Sequence, residues 1–177
     1  MGFDVHGLNP QMNVPMGEIY KQYNALDYKE RQEAFDKQEG LEKQYWDEQD
    51  EYESKNSGVY FRNNCWWWRP LWNFVCENCK GILSDDQMES GNYNDGVEIT
   101  SQQAKDIGKT ISMLDKAGVL EEYELKYEAE RAQAEANNEG KKVGDEDYNW
   151  ASSYPFHADN VRSFGKFATQ SGGFEIW

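Results

Sequence analysis

One stretch of this sequence is far more apolar than the rest: Tyr60-Phe61-Arg62-Asn63-Asn64-Cys65-Trp66-Trp67-Trp68-Arg69-Pro70-Leu71-Trp72-Asn73-Phe74. It holds four of the seven tryptophans. Because large aromatic rings bury more area than other side chains, we expect the rest of the chain to fold around this stretch. Read as one helix, it is hydrophobic on nearly every face, which is typical of a central helix, with Pro70 at a kink or in the first turn.

The composition indicates one domain with an aromatic core. The chain has 177 residues, a length at which a single domain is usual. Hydrophobic residues make up 38% and charged residues 29%, which by themselves approach the composition of a disordered chain. The aromatic share of 15% argues for a packed structure, since disordered chains are poor in aromatic residues.

The two ends of the sequence alternate in the manner of short strands. In Gly2–Leu8, apolar Phe3 and Val5 alternate with polar residues, and segment 174–177 (Phe-Glu-Ile-Trp) alternates in the same way. Neither segment is stable alone, so we predict that they pair. The predicted class is mainly α (α+β), with helices around the Trp-rich central segment and a small sheet that pairs the two terminal strands.

Residues 16–56 form a charged, proline-free segment with a helical pattern. Gly40 interrupts it, so we predict two helices or one long helix with a weak point. Apolar residues recur every three to four positions along parts of the segment: Tyr28, Phe35, Leu41, Tyr45 and Tyr52. This thin stripe suits either a solvated helix or an arm that binds a partner. We predict one domain over residues 1–177, with 16–56 as a charged helical insertion or arm.

Three further helices are predicted in the second half of the chain. Thr100 and Gln103 have the spacing of a capping box that opens the first. The second is predicted from Val119 to Asn137, although 128–139 offers only alanines for burial and is expected to fray. Asp159 is placed to cap the last.

The net charge of −15 limits the partners that this chain can bind. Nucleic-acid binding depends on lysine and arginine at the phosphates, so direct nucleic-acid contact is not expected, and anionic membranes are disfavoured equally. A protein partner with a basic surface fits the charge. No apolar run is long enough for a membrane span, and three cysteines fit a reducing compartment better than a disulfide scaffold. We expect a cytoplasmic protein.

Cys76 and Cys79 have the spacing of half a zinc knuckle. A structural zinc site needs four ligands, and the other soft ligands are scattered in the sequence: Cys65, His6 and His157. We expect no cofactor and two buried or half-buried thiols, with zinc at this pair as the alternative.

Arg62 and Arg69 flank the tryptophan run, and Glu77 is the one acid in residues 60–80. An arginine stacked on an indole, with its guanidinium free, can bind a nucleotide or another planar anion. The candidate ligand-binding residues are therefore Arg62, Asn63, Asn64, Trp66, Trp67, Trp68 and Arg69. The alternative is a core segment whose arginines reach the surface and pair with acids of the chain.

The sequence carries no motif that indicates catalysis. A phosphate-binding glycine loop, a nucleophile elbow and a metalloprotease helix are all missing. We therefore favour a protein that is not an enzyme.

Several motifs carry a resemblance to a known family. They are Met1-Gly2-Phe3-Asp4-Val5-x-Gly7, Tyr60-Phe61-Arg62-Asn63-Asn64-x-Trp66-Trp67-Trp68-Arg69-Pro70-Leu71-Trp72, Asn94-Asp95-Gly96, Tyr154-Pro155-Phe156 and Ser171-Gly172-Gly173-Phe174. In these motifs the sequence resembles a family of small, uncharacterised bacteriophage and environmental proteins. Shorter members pass almost directly from the opening motif to the Tyr60 motif, which implies that residues 16–56 are an insertion. Other members carry paired Cys-x-x-Cys motifs before the Tyr-Pro-Phe turn, where this chain has no cysteine, which argues against zinc. The resemblance implies no particular activity.

Together these observations predict a phage-type accessory protein that acts in the cytoplasm of an infected bacterial host. We expect it to bind a host or defence protein through a basic surface of that partner, and to inhibit it. Two alternatives stay open. One is a protein that binds or sequesters a small nucleotide-like anion, and the other is a virion or assembly component that forms oligomers through residues 16–56.

Overall fold

The computed structural model describes residues 2–177. Its strands are β1 (Gly2–Gly7), β2 (Tyr60–Asn64), β3 (Val97–Ile99) and β4 (Phe174–Ile176). Its α-helices are α1 (Glu18–Asn24), α2 (Tyr28–Lys37), α3 (Leu41–Lys55), α4 (Cys65–Asn78), α5 (Asp85–Ser90), α6 (Ser101–Lys116), α7 (Val119–Asn137) and α8 (Ala158–Gln170), and a short 3-10 helix spans Trp150–Ser153. The predicted mainly α (α+β) class is confirmed. Within these residues, every helix is too short or too polar to cross a membrane.

The four strands form one antiparallel sheet in the order β2-β1-β4-β3. Val5 of β1 lies opposite Phe61 on one side and opposite Ile176 on the other. The predicted pairing of the two terminal strands is therefore confirmed. Phe3 and Val5 are buried against the helices, whereas His6 on the other face is exposed.

The expectation of a single helix over Tyr60–Phe74 is wrong, because the first five residues pair with β1 as a strand. α4 begins directly after this strand. The side chain of Asn64 accepts hydrogen bonds from the amides of the second and third helical residues, which satisfies two donors that a helix start leaves free. Pro70 lies inside α4, and the helix continues past it to its end at residue 78.

The main core lies between the sheet and helices α4, α6 and α8. Trp68 and Trp72 of α4 are fully buried, and their rings stack with centroids 5.5 Å apart. The apolar faces of α6 and α8 are buried in the same core: Ala104, Ile107, Ile111, Val161, Phe164, Phe167 and Ala168. Trp66 and Trp67 stay partly exposed, so only half of the tryptophan-rich stretch serves as core.

Helices α1, α2 and α3 have a hydrophobic cluster of their own. Its buried members are Tyr20, Phe35, Leu41, Tyr45 and Tyr52. Gly40 separates α2 from α3 with φ of +81°, an angle that glycine adopts without strain. Tyr28 of the predicted stripe is instead exposed. The assignment of residues 16–56 as an insertion or arm of a single domain stays a prediction.

Asn56 joins the two ends of this helical segment. Its side chain is fully buried, and its Oδ1 accepts hydrogen bonds from the amides of Asn13 (2.7 Å) and Val14 (3.1 Å). Its Nδ2 donates to the carbonyls of Val14 (3.1 Å) and Tyr52 (2.9 Å). The chain before α1 is thereby tied to the chain after α3.

α7 remains helical through Asn137, so the expected fraying of 128–139 is wrong. Ala134 is buried, and the carboxylate of Glu128 pairs with Arg131 at 2.7 Å. These two charged side chains also bind the segment that follows α7, which stabilises a part of the helix that has few apolar residues of its own.

Candidate functional site

The first turns of α4 present an exposed aromatic surface. A helix with 3.6 residues per turn that buries Trp68 and Trp72 turns Arg69 outward. Trp66 is 38% and Trp67 40% exposed, which is unusual for indoles next to a core. Two residues of the segment between α7 and α8 lie beside them. We call the group the Trp66–Trp67 surface: Trp66, Trp67, Arg69, Tyr154 and His157.

Two buried tryptophans fix α4 beneath this surface. Trp68 Nε1 donates to the carbonyl of Gly91 at 2.8 Å, and Trp72 Nε1 donates to the carbonyl of Met88 at 3.0 Å. Both buried indole N–H groups are therefore satisfied, as stable burial requires. Gly91 lies directly against the Trp72 ring, where a Cβ would overlap the indole.

α7 holds the other half of the surface in place. Glu128 Oε1 accepts a hydrogen bond from the amide of Phe156 at 3.2 Å. Arg131 Nη1 donates to the carbonyl of Ser152 at 3.2 Å. Segment 150–157 is thereby positioned by charge-assisted hydrogen bonds on both sides of Tyr154.

The two halves meet through pairs of rings. The Tyr154 ring lies 5.0 Å from Trp66 between centroids, and the His157 ring lies 4.7 Å from Trp67. Both separations are in the range at which aromatic pairs attract. The surface is therefore held in one arrangement before any partner arrives.

The first of two clefts beside the surface is the Arg69 cleft. It has a volume of about 250 Å³ and is lined by Arg69, Pro70, Asn73, Tyr127, Ala151 and Tyr154. Arg69 Nη1 donates to the Tyr154 hydroxyl at 2.9 Å, and its guanidinium carbon lies 5.7 Å from the centre of that ring. Among the described residues, no carboxylate lies within ion-pair distance of Arg69. The remaining N–H groups of this guanidinium are available to an anion or a carbonyl.

The second is the Trp67 cleft, about 260 Å³ in volume, lined by Trp67, Glu124, His157, Asp159, Asn160 and Arg162. One indole forms a wall of it, and two carboxylates lie close by. Glu124 Oε1 lies 3.3 Å from His157 Nδ1. An aromatic face beside carboxylates favours a cationic group.

Arg162 is the one arginine in the Trp67 cleft, and acids surround it. It pairs with Asp115 at 2.7 Å, with Asp159 at 2.7 Å and with Glu121. Its hydrogen bonds to Asp159 and then Asp115 raise the pKa of the guanidinium above its usual value. Since three carboxylates surround one arginine, this side of the molecule keeps an excess of negative charge.

The structure divides the predicted ligand-binding residues into two groups. Trp66, Trp67 and Arg69 lie together on the exposed surface. The other four have separate partners: Arg62 pairs with Asp4 at 3.4 Å, Asn63 donates to Asn160 Oδ1 at 3.1 Å, Asn64 caps α4, and Trp68 is buried. The strand-to-helix change at residue 65 separates the two arginines, which contact different parts of the chain.

The cysteine pair lies at the end of α4. Cys79 is buried and Cys76 is half-buried. Burial raises the pKa of Cys76 to about 12 and that of Cys79 to about 11, so both thiols are protonated at neutral pH in the metal-free chain. Within residues 2–177, no three His, Cys, Asp or Glu side chains are grouped closely enough to hold a metal ion.

Comparisons with protein-family models, with curated proteins and with solved structures found no match to this chain. The assignment of a function therefore depends on the geometry of its surfaces. Tyr154 and His157 were not among the site residues predicted from the sequence. Their motif, Tyr154-Pro155-Phe156 followed by histidine, was visible, but its contact with α4 exists only in the fold.

Proposed function

We propose that this chain is a non-enzymatic binding protein whose Trp66–Trp67 surface docks a partner protein. The supporting observation is the pair of partly exposed indoles held beside Tyr154 and Arg69. Tryptophan, tyrosine and arginine are the residues that most often dominate the free energy of protein–protein binding. A surface with fixed side chains also loses little conformational entropy when it binds.

The charge of the molecule favours a partner with a basic surface. The Trp67 cleft combines an indole face with the carboxylates of Glu124 and Asp159. A lysine or arginine side chain of the partner would meet both a cation–π contact and opposite charge there. The net charge of −15 would accelerate association with such a partner at low salt.

We further propose that the chain is a phage-type accessory protein that acts in the cytoplasm of an infected bacterium. It would inhibit a host or defence protein by covering that protein's basic surface. Support comes from the resemblance of the sequence motifs to those of bacteriophage proteins and from the acidic charge.

The test uses the full chain as bait in host lysate, followed by measurement of Kd with each purified candidate. Trp67→Ala should raise the Kd for the true partner by about 30-fold or more, which is the effect of losing a hot-spot residue. Trp46→Ala is the matched control, because Trp46 is 44% exposed on α3, away from the surface. The control should change Kd by less than about twofold.

The salt dependence of the same Kd tests the charge argument. Affinity should fall as ionic strength rises, because the attraction between the acidic chain and a basic partner is screened. A partner that binds Trp67→Ala as tightly as the wild type, or that binds equally well at high salt, would contradict the proposal.

A second candidate function is the binding of a small nucleotide-like anion in the Arg69 cleft. It is favoured by one observation: Arg69 contacts a tyrosine and no carboxylate. Titration with a nucleoside monophosphate and with inorganic phosphate, followed by NMR, would reveal binding. Arg69→Gln should abolish it, whereas Arg31→Gln should not, since Arg31 makes the same kind of tyrosine contact on another part of the chain. Equal chemical-shift changes in Arg69→Gln and Arg31→Gln would show that the anion does not bind in the Arg69 cleft.

A further inference from the structure

The sheet has an open edge at β2. In an antiparallel sheet, the N–H and C=O groups of alternate residues point to one neighbour or the other. The amide of Gly7 donates to the carbonyl of Val59 at 2.9 Å, so Val59 and Phe61, two residues further on, direct their backbone groups towards β1. The N–H and C=O groups of Tyr60 and Arg62 therefore point away from the sheet.

The two edges of the sheet differ in how they are covered. At the β3 edge, Gln87 Nε2 donates to the outward carbonyl of Glu98 at 2.9 Å, so α5 covers that edge. At the β2 edge, no other segment within residues 2–177 makes a hydrogen bond to the outward backbone groups of Tyr60 or Arg62. Unpaired edge groups of this kind are a template for another strand.

We propose that the β2 edge binds an extended segment of a partner protein, which adds a fifth strand to the sheet. The segment carries a carboxylate opposite Arg62 and apolar side chains on the face that meets Phe61. β2 ends where α4 begins at Cys65, so the segment pairs over about five residues. This site is separate from the Trp66–Trp67 surface and does not depend on its function.

The side chains of β2 determine what the added strand must carry. Phe61 is half-buried and packs on Phe164 at 5.3 Å and Phe167 at 5.8 Å, which leaves part of its ring to be covered by an apolar neighbour. On the other face, the Arg62 side chain is 65% exposed. Its Nε lies 3.4 Å from Asp4, a carboxylate that also accepts a hydrogen bond from Tyr60. A carboxylate on the incoming strand would bind the free side of the guanidinium, and opposite charges across strands stabilise pairing.

The same arginine disfavours a second copy of this chain as the occupant. Two-fold pairing centred on Arg62 would place two guanidinium groups opposite each other. Each copy also carries a net charge of −15, which adds repulsion. The charge therefore disfavours a second copy in the register centred on Arg62 and favours a segment with a carboxylate at that position.

Amide hydrogen exchange of the free protein tests the open edge. The amide of Arg62 should exchange at least about tenfold faster than that of Phe61, because only the second is bonded within the sheet. Equal protection of the two amides would mean that the edge is covered and would overturn the proposal.

Peptide titration tests the docking itself. The probes are two capped pentapeptides, Thr-Val-Glu-Val-Thr and Thr-Val-Lys-Val-Thr, added at millimolar concentration and followed by NMR. The glutamate peptide should shift the β2 resonances and bind about two- to fivefold more tightly than the lysine peptide. In Arg62→Glu this order should reverse. No binding of either peptide, or an unchanged order in Arg62→Glu, would overturn the proposal.

Two further variants separate the backbone from the side chain. Arg62→Thr keeps the edge N–H and should bind both peptides equally. Arg62→Pro removes that N–H, which makes no bond within the sheet, so the variant should stay folded and lose both peptides. Binding to Arg62→Pro as tight as to Arg62→Thr would show that no strand is added.

Discussion

Gly58 lies so close to the carbonyl of Gln170 that a Cβ on Gly58 would overlap that group. Gly7 approaches Gly58 in the same way, and a Cβ on Gly7 would lie 3.1 Å from the carbonyl oxygen of Ser171. The end of β1, the start of β2 and the end of α8 therefore meet backbone to backbone at one junction. Only glycine permits so close an approach.

Gly58→Ala should destabilise the protein by about 1–3 kcal/mol, because the added methyl group must push backbone away from backbone. Thermal unfolding would measure the loss. Gly81→Ala is the matched control, since nothing lies within 4 Å of a Cβ at that position. It should change stability by less than about 0.5 kcal/mol. Similar melting temperatures for the two variants would show that the backbone at this junction can move apart and accommodate the methyl group.

Trp68→Ala and Trp66→Ala should separate core from surface. Trp68 is fully buried and bonded to Gly91, so its loss should destabilise the fold by about 3–5 kcal/mol. Trp66 is partly exposed and its main ring contact is Tyr154, so Trp66→Ala should lower the free energy of unfolding by only about 1–2 kcal/mol. Chemical denaturation measures both, and a loss for Trp66→Ala as large as that for Trp68→Ala would place both rings in the core.

The stability should fall at alkaline pH. Burial raises the pKa of Cys76 to about 12 and that of Tyr123 to about 12, from about 8.5 and 10 in an unfolded chain. The folded chain keeps protons that the unfolded chain releases, so this contribution is full below about pH 8.5 and is lost as the pH rises towards 12. Melting temperatures from pH 7 to 11 would show it. The melting temperature of Cys76→Ala should fall less steeply between about pH 8.5 and 10 than that of the wild type. Parallel curves for the two proteins would contradict this origin of the pH dependence.

Replacement of residues 12–57 by a short glycine–serine linker should leave the main core folded. The amide of Gln11 donates to the carbonyl of Gln170 at 2.8 Å, and Gly58 lies against the same carbonyl, so a few residues can join the two ends. The segment removed contains every buried residue of the cluster around Tyr45. The shortened chain should unfold cooperatively and keep the buried environment of Trp72. A chain that fails to fold would show that the segment is part of one inseparable core.

Some of the architecture could be predicted from local patterns. The alternation of Phe3 and Val5 placed β1 correctly, since one face of a half-buried strand must be apolar. The capping box of Thr100 and Gln103 placed the start of α6. The Ser84–Gln87 capping box that opens α5 was equally visible in the sequence and was missed.

Other elements depend on contacts far along the chain. Tyr60–Asn64 shows no alternation of apolar and polar residues, so its strand form follows only from pairing with β1. The candidate surface has the same origin. Arg69 and Tyr154 are 85 residues apart in the sequence. They meet because α4 carries Arg69 and because Glu128 of α7 holds the segment that contains Tyr154. Arg62, seven residues from Arg69, instead lies on the sheet.

The pairing of β1 with β4 has a consequence for the order of synthesis. Val5 emerges from the ribosome long before Ile176, its partner in the sheet. β1 must therefore stay incomplete while almost all of the chain is made, and long-range strand pairing of this kind folds late. The helices between β1 and β2 contact mainly one another and can fold in the meantime. During translation these folded helices would lie next to β1 in the chain. They would hinder its unpaired edge from pairing with another strand.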